Sequence, residues 1–335
     1  MMNALRIVGI GGGTGLPVLL AGLGNEAGVD LSAIVNVSDS GGSSGRLREN
    51  FAMPAVGDLR NCLVALSPSN STLAEIFQHR FSGGGVLGGH AVGNLIVAAL
   101  YQKTGSLTEA IEIVSHMLPT WGRALAATET PSTVCAAFQD GTIVRGESDI
   151  TAARRPIERV WLEPDSPPAS HGVLEAIHSA DAVVLAPGSL YTSLLPNLLV
   201  AGVADAIRRS PAVKILICNL MTQPGETDGF SAADHLRVVK DCLGPGVVDF
   251  CVVNSARAQA GLEGAQPVAC DLGRIRSLGA VPIEADLMLR QGERIRHNAS
   301  KLGRLVVWIA RIKAGQAVSS RPFQDSQEVV SECLN

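Results

Sequence analysis

The 335-residue sequence lacks the cysteine pattern of a metal or disulfide framework. Its seven cysteines, Cys62, Cys135, Cys218, Cys242, Cys251, Cys270 and Cys333, include no C-x-x-C pair and no finger-like spacing with histidine, which argues against zinc and against a disulfide scaffold. Several, such as Cys218 and Cys251, sit inside apolar runs as small hydrophobes, the placement expected of reduced thiols in a cytosol. There is no basic excess: 27 Lys+Arg against 31 Asp+Glu give a formal net charge of -4. No global field exists to hold a nucleic-acid backbone or an anionic membrane surface, so any polyanion site must be local. Apolar runs such as Ala182 to Ala186 and Leu305 to Ala310 fall far short of the roughly 20 residues that span a bilayer. The first residues also lack the basic segment and long apolar stretch of a secretion signal. The expectation is a cytoplasmic protein with no membrane insertion and no nucleic-acid partner.

What the sequence does contain is an alternation of short β-branched runs with longer stretches of helical period, the pattern of parallel strands joined by helical crossovers. The predicted strands are Arg6 to Ile10, Ala33 to Val37, Ala182 to Ala186, Lys214 to Asn219, Val248 to Asn254 and Pro267 to Ala269. Their continuous apolarity fits a sheet covered by helices on both faces. Helices are predicted over Leu16 to Leu23 and, in an insert spanning about 55–120, over Leu73 to Arg80, Ala91 to Gln102 and Leu107 to Leu118. A hairpin-like piece, Thr133 to Phe138 and Thr142 to Glu147 around Gln139-Asp140-Gly141, precedes a strand at Glu158 to Leu162. The fold class is thus α/β, a doubly wound and mostly parallel sheet with a helical insert and a small β-hairpin element. One domain over 1–315 and a polar C-terminal tail over 316–335 are expected. Apolar surface on a fold of this size commonly supports a homodimer.

Glycine-rich polar loops punctuate this pattern. In Gly9-Ile10-Gly11-Gly12-Gly13-Thr14-Gly15 the missing side chains let the backbone turn tightly and present N–H groups at a helix start, where the helix dipole favours an anion. The spacing is neither the G-x-G-x-x-G of a dinucleotide fold nor the Gly-Lys-Ser/Thr of a P-loop, so nicotinamide and ATP hydrolysis lose support. The second strand leads into Asn36-Val37-Ser38-Asp39-Ser40-Gly41-Gly42-Ser43-Ser44-Gly45, at a carboxyl end where doubly wound sheets place ligands. Asp39 is a candidate catalytic residue that could coordinate Mg²⁺, act as a base or bind a ribose hydroxyl. Gly41 to Gly45 also fits G-x-S-x-G, but Arg46 to Asn50 is mostly charged and Pro54 follows, a poor helix for a nucleophile elbow. A solvated polar loop is the plainer alternative.

Gly57-Asp58-Leu59-Arg60-Asn61-Cys62 offers Arg60 as a phosphate fork, with Asp58 equally suited to cap the helix. His90 and Asn94, in Gly88-Gly89-His90-Ala91-Val92-Gly93-Asn94, share a face if helical. Small donors recur where later strands give way to helices, at Gly188-Ser189-Leu190-Tyr191-Thr192-Ser193 and at Asn219-Leu220-Met221-Thr222-Gln223-Pro224-Gly225-Glu226-Thr227, although turn chemistry alone explains such residues too. Arg294-Ile295-Arg296-His297-Asn298 precedes a last helix whose apolar face is Leu302, Leu305, Val306 and Ile309, with a plain basic helix start as the alternative.

Taken in order, Gly11-Gly12-Gly13-Thr14-Gly15-Leu16, Val37 to Arg46, Gly57 to Cys62, Gly89 to Leu95, Gly188 to Ser193 and Asn219 to Thr227 resemble the family of bacterial gluconeogenesis factors and archaeal 2-phospho-L-lactate transferases. The resemblance covers roughly Leu5 to Ile312. It implies a Rossmann-like fold with a nucleotide cleft at the sheet's carboxyl edge. In the transferase branch a GDP-activated phospholactyl group passes to a deazaflavin precursor, with a divalent metal near the acidic loop. The gluconeogenesis-factor branch is associated with UDP-sugar binding, cell shape and envelope synthesis, and growth on gluconeogenic carbon sources. The serine-rich loop and Arg60-Asn61-Cys62 are closer to that branch, since transferases tend to carry paired acids where this chain has Asp39-Ser40-Gly41. Thr14 and Arg296 match positions used there for the UDP-sugar, whereas a family tyrosine near Gly264 to Val268 has no counterpart.

The sequence therefore points to a nucleotide-sugar-binding factor that regulates carbon metabolism, in which Gly11, Gly12, Gly13, Thr14 and Gly15 hold the diphosphate. Asn36, Ser40, Gly41, Gly42, Arg60, Asn61, His90, Asn94, Gly188, Ser189, Thr192, Asn219 and Arg296 are expected to complete the nucleotide or phosphate site. No cofactor is fixed by this reading. The alternative is a transferase of the 2-phospho-L-lactate type using a GDP-activated donor, for which Mg²⁺ near Asp39 would be expected.

Overall fold

The computed structural model describes residues 4–256, 264–292 and 294–315. The expected tail at 316–335 lies outside them. The chain opens with β1 (Leu5–Gly11), α1 (Gly15–Leu23) and β2 (Val29–Val35). Helices α2 (Gly42–Phe51), α3 (Gly57–Ala65), α4 (Thr72–Gln78), α5 (Val92–Thr104) and α6 (Leu107–Met117) then intervene before β3 (Gly122–Ala126). A small antiparallel unit follows: β4 (Thr133–Phe138), β5 (Ile143–Arg145), α7 (Glu147–Ala153) and β6 (Ile157–Glu163), ordered β5-β4-β6 in their sheet. The α/β alternation resumes with α8 (Val173–Ser179) and β7 (Ala182–Leu185). A π-helical turn (Leu190–Leu194) runs from there into α9 (Leu195–Leu198), ahead of α10 (Val203–Arg209) and β8 (Val213–Ile217). The last sheet strands are β9 (Phe250–Asn254), after α11 (Ala232–Leu243), and β10 (Val281–Ala285), after α12 (Leu272–Ser277). A hairpin of β11 (Met288–Gln291) and β12 (Arg294–His297) leads into α13 (Ala299–Lys313).

The central sheet has seven strands in the order β10-β9-β8-β7-β1-β2-β3, and every neighbouring pair is parallel. Alternate residues of β1 feed opposite cores. Leu5 and Ile7 pack with α1, α3 and α13, and Val8 and Ile10 pack with α8, α9, α10 and α11. Burial on both faces is why these strands read as unbroken apolar runs. From β1 the chain moves outward through β2 to β3 on one side and later returns to β7 on the other. The switch of direction therefore falls between β1 and β7, and it opens a crevice at their carboxyl ends.

One expectation changes and two alternatives fall away. Pro267 to Ala269 is no sheet strand: it makes only isolated bridges, Met221 to Pro267 and Ser231 to Ala269. The edge place belongs to β10, whose Pro282 disguised it, because a residue without an N–H is tolerated only where a strand has a free side. Arg294 to His297 does not begin a helix but forms β12; the cap of α13 is Asn298, whose side chain accepts the Lys301 N–H at 3.1 Å. Gly42 onward is no open polar loop either, since α2 buries Ser43 and Ser44.

Candidate functional site

The loops after β1 and β7 meet at the switch point, pressed together without room for side chains. A Cβ on Gly15 would stand 1.8 Å from the Pro187 carbonyl oxygen, and Gly13 turns through φ +61°. Gly188 is fixed from the next strand by a two-way amide clamp: its N–H donates to Asn219 Oδ1 at 2.8 Å and its carbonyl accepts from Asn219 Nδ2 at 2.7 Å. Between the loops lies a cleft of about 390 Å³, bordered by Gly13, Thr14, Gly15, Gly188, Ser189 and Asn219, with Arg296 of β12 also on its wall. Thr14 stands at the N-cap of α1, yet its hydroxyl makes no capping bond and so is uncommitted. Arg296 forms no ion pair among the described residues. Seven sequence-predicted positions, from three separate stretches of chain and the C-terminal hairpin, thus share one crevice.

Carboxylates that the motifs did not single out as site residues crowd the same region. Asp58, expected as a helix cap, lies inside α3, whose N-cap is Val56; its Oδ2 instead accepts the Gly13 N–H at 2.6 Å. Burial pushes its carboxyl up to about 6, with the charge of Asp39 adding to the shift and the Gly13 N–H and Arg60 opposing it. Glu147, the first residue of α7, borders the cleft, and burial together with Asp39 and Asp58 raises it to about 9. Its Oε1 accepts from Thr192 Oγ1 at 3.2 Å. Glu226, also raised by burial, accepts from Ser189 Oγ at 2.6 Å. A carboxyl raised to about 9 is protonated at neutral pH and can donate a hydrogen bond. The acids do not make a metal cradle. Among the described residues no group of three or more His, Cys, Asp or Glu side chains could hold a metal ion, and Asp39 Oδ1 is committed to the Gly41 N–H at 2.7 Å.

The remaining predicted residues form a second network beside the cleft rather than its wall. Asn36 ties β2 to the π-helical turn, donating from Nδ2 to the Thr192 carbonyl at 3.1 Å. The carbonyl of Gly11 accepts from Asn36 N and from Asn197 Nδ2, and Gly12 packs against Asp58. Ser40 Oγ accepts the Ser148 N–H at 3.3 Å, while Gly41 and Gly42 start α2. His90 Nδ1 and Asn94 Nδ2 both reach Ser43 Oγ, at 3.0 and 3.1 Å, although His90 precedes α5 rather than belonging to it. Ser43 and His90 are buried and neither borders the cleft, so the G-x-S-x-G match serves packing between α2 and α5. Arg60 is 2% exposed, donates to Gln78 Oε1, and is pulled down to about 10 by burial and by Arg80. Asn61 Oδ1 accepts from the same glutamine at 3.4 Å.

A family model described as 2-phospho-L-lactate transferase CofD matches residues 7–288 of the chain. The chain belongs to the CofD family. It is 45% identical over 313 residues to a gluconeogenesis factor of Halalkalibacterium halodurans, covering 91% of this chain and 97% of that protein. A gluconeogenesis factor of Bacillus subtilis is 40% identical over 308 residues, covering 90% of this chain and 97% of that protein. The crystal structure of a Bacillus halodurans protein superimposes with a TM-score of 0.88 at 44% identity, covering 91% of this chain and all of that one. In the CofD-family member described here, no helix among the described residues is long and apolar enough to cross a membrane.

Proposed function

We propose that this chain is a gluconeogenesis factor that binds a nucleotide-sugar, a UDP-sugar, in the cleft between the β1 and β7 loops and acts in carbon metabolism and cell-envelope synthesis. The observation that carries the reading is the meeting of an uncommitted guanidinium, Arg296, with the glycine loop at the start of α1. Backbone donors, a helix dipole and a fork-shaped cation suit a diphosphate. Asn219 also lines the cleft and keeps, beyond its clamp on Gly188, one N–H and one lone pair that a ribose or hexose hydroxyl could use. The names of the similar gluconeogenesis factors support the cellular role. The test is calorimetry of the purified protein with UDP-N-acetylglucosamine and with GDP. Saturable binding of the UDP-sugar, weakened roughly tenfold or more in Arg296→Ala, is expected. Preference for GDP, with no binding of any UDP-sugar, would overturn it.

One observation favours a second reading, a transferase using a GDP-activated donor: Glu147 brings a protonatable carboxyl to the cleft wall, where an acid catalyst could stand. Turnover of GDP-activated phospholactate and a deazaflavin acceptor, abolished in Glu147→Gln, is its signature. No product would dismiss it.

A further inference from the structure

The glycine loop already holds an anion of the protein's own. Asp58 Oδ2 accepts the Gly13 N–H at 2.6 Å, and a Cβ on Gly12 would fall 2.6 Å from the same oxygen. The carboxylate thus lies against two successive residues of the loop. Asp58 is 8% exposed and makes no ion pair among the described residues. The titratable groups that bear on it are Asp39 from the loop after β2, Glu147 from α7, whose raised carboxyl keeps its proton at neutral pH, and, on its own helix, Arg60, whose guanidinium is directed to Gln78. A phosphate seated on the adjoining Thr14 and Gly15 would therefore meet a negative charge one residue away, with no cation between them. A single N–H cannot fully serve two anions, and like charges this close disfavour each other's ionised form.

We propose that Asp58 is a built-in competitor for the ligand's phosphate: it occupies the Gly13 N–H in the free protein, and a phosphate gains that donor only by displacing or neutralising the carboxylate. The inference rests on the nucleotide-sugar reading and deepens it into a rule of selection. A ligand with further contacts, to Asn219 or Arg296, carries enough interaction to overcome the competitor, and a bare phosphate or pyrophosphate does not. Burial raises Asp58 to about 6, so neutralising it near neutral pH is within reach of a bound anion. Gly13 thus works as a discriminator.

The experiment compares wild type with Asp58→Asn, which keeps the shape and an oxygen for the Gly13 N–H while removing the charge. Calorimetry is run with UDP-N-acetylglucosamine, inorganic pyrophosphate and uridine. The expected result is a gain of about tenfold or more for both phosphate ligands in D58N, with pyrophosphate binding measurable there and weak or absent in wild type, and no change for uridine. Asp58→Ala, which removes both charge and acceptor, gives the same ordering and serves if D58N fails to fold. Unchanged or weaker binding of both phosphate ligands in the folded variant would overturn the competitor. If neither protein binds the UDP-sugar but D58N gains affinity for pyrophosphate, the competitor stands and the nucleotide-sugar reading falls.

Discussion

Two glycine-rich segments of this chain look alike in sequence and differ in structure. In residues 11–15 the glycines exist because the chain is crowded: a Cβ would fall 3.2 Å from the Ala186 Cβ at Gly11, 2.6 Å from Asp58 Oδ2 at Gly12 and 1.8 Å from the Pro187 oxygen at Gly15. In residues 83–85 no atom lies within 4 Å of any of the three built Cβ positions, and only the turns at Gly83 (φ +89°) and Gly85 (φ +92°) call for glycine. The first segment sits where two parallel strands reverse the direction of winding and a crevice opens; the second is an exposed excursion between α4 and α5. Glycine content marks both. Close approach of backbone to backbone marks only the first, and it is the property that exposes N–H groups to a ligand.

The comparison can be broken by substitution. Gly15→Ala is expected to have the largest effect, a loss of about 3 kcal/mol or more together with all cleft binding, because backbone must move to admit the methyl group; thermal denaturation reads it. Arg296→Ala comes next, with roughly a tenfold or greater loss of UDP-sugar affinity and an unchanged melting temperature, since the side chain is exposed. Glu147→Gln sharpens the electrostatics of the crevice. Its carboxyl, held at about 9 against the ordinary glutamate value of 4.5, binds a proton more tightly folded than unfolded, so its contribution to stability is complete below about 4.5 and is lost as pH rises toward 9. Melting curves at pH 6 and pH 8.5 are expected to differ less in the variant than in wild type. Gly84→Ala is expected to do least: its φ lies outside the left-handed region and its surroundings are open, so stability stays within about 0.5–1 kcal/mol of wild type, in the stabilising direction, and binding is untouched.

Much of the architecture was legible because it follows from burial on two faces. Strands β1, β2, β7, β8 and β9 are short apolar runs, and α4, α5 and α6 show helical period, so their order and the parallel sheet could be read directly. The sheet's edges could not. Gly-Arg-Ala-Leu-Ala in β3 has no β-branched residue, and Pro282 breaks the signal of β10. At the site, the loops and Arg296 were visible as motifs, but their partition into a cleft and a buried network was not. Arg60 looks like a phosphate ligand in sequence, yet it is the packing of α3 against α4 that turns it toward Gln78. Asp58 looks like a cap and is instead bonded to a residue 45 positions away. Glu147 carries no local signature and Glu226 lies in the Asn219 to Thr227 motif without being marked out there, because what matters about them, proximity to Thr192, Ser189 and one another, is set by the fold. A motif reports which donors are available; only the packing decides which of them face the ligand.

The most direct test of the account is the crystal structure of the complex with UDP-N-acetylglucosamine. The account predicts the diphosphate within hydrogen-bond distance of the Thr14 and Gly15 amides, with the Arg296 guanidinium against it and the Asp58 carboxylate displaced from Gly13 or sharing a proton. A diphosphate seated on residues 83–89, or anywhere clear of the β1 and β7 loops, would contradict it.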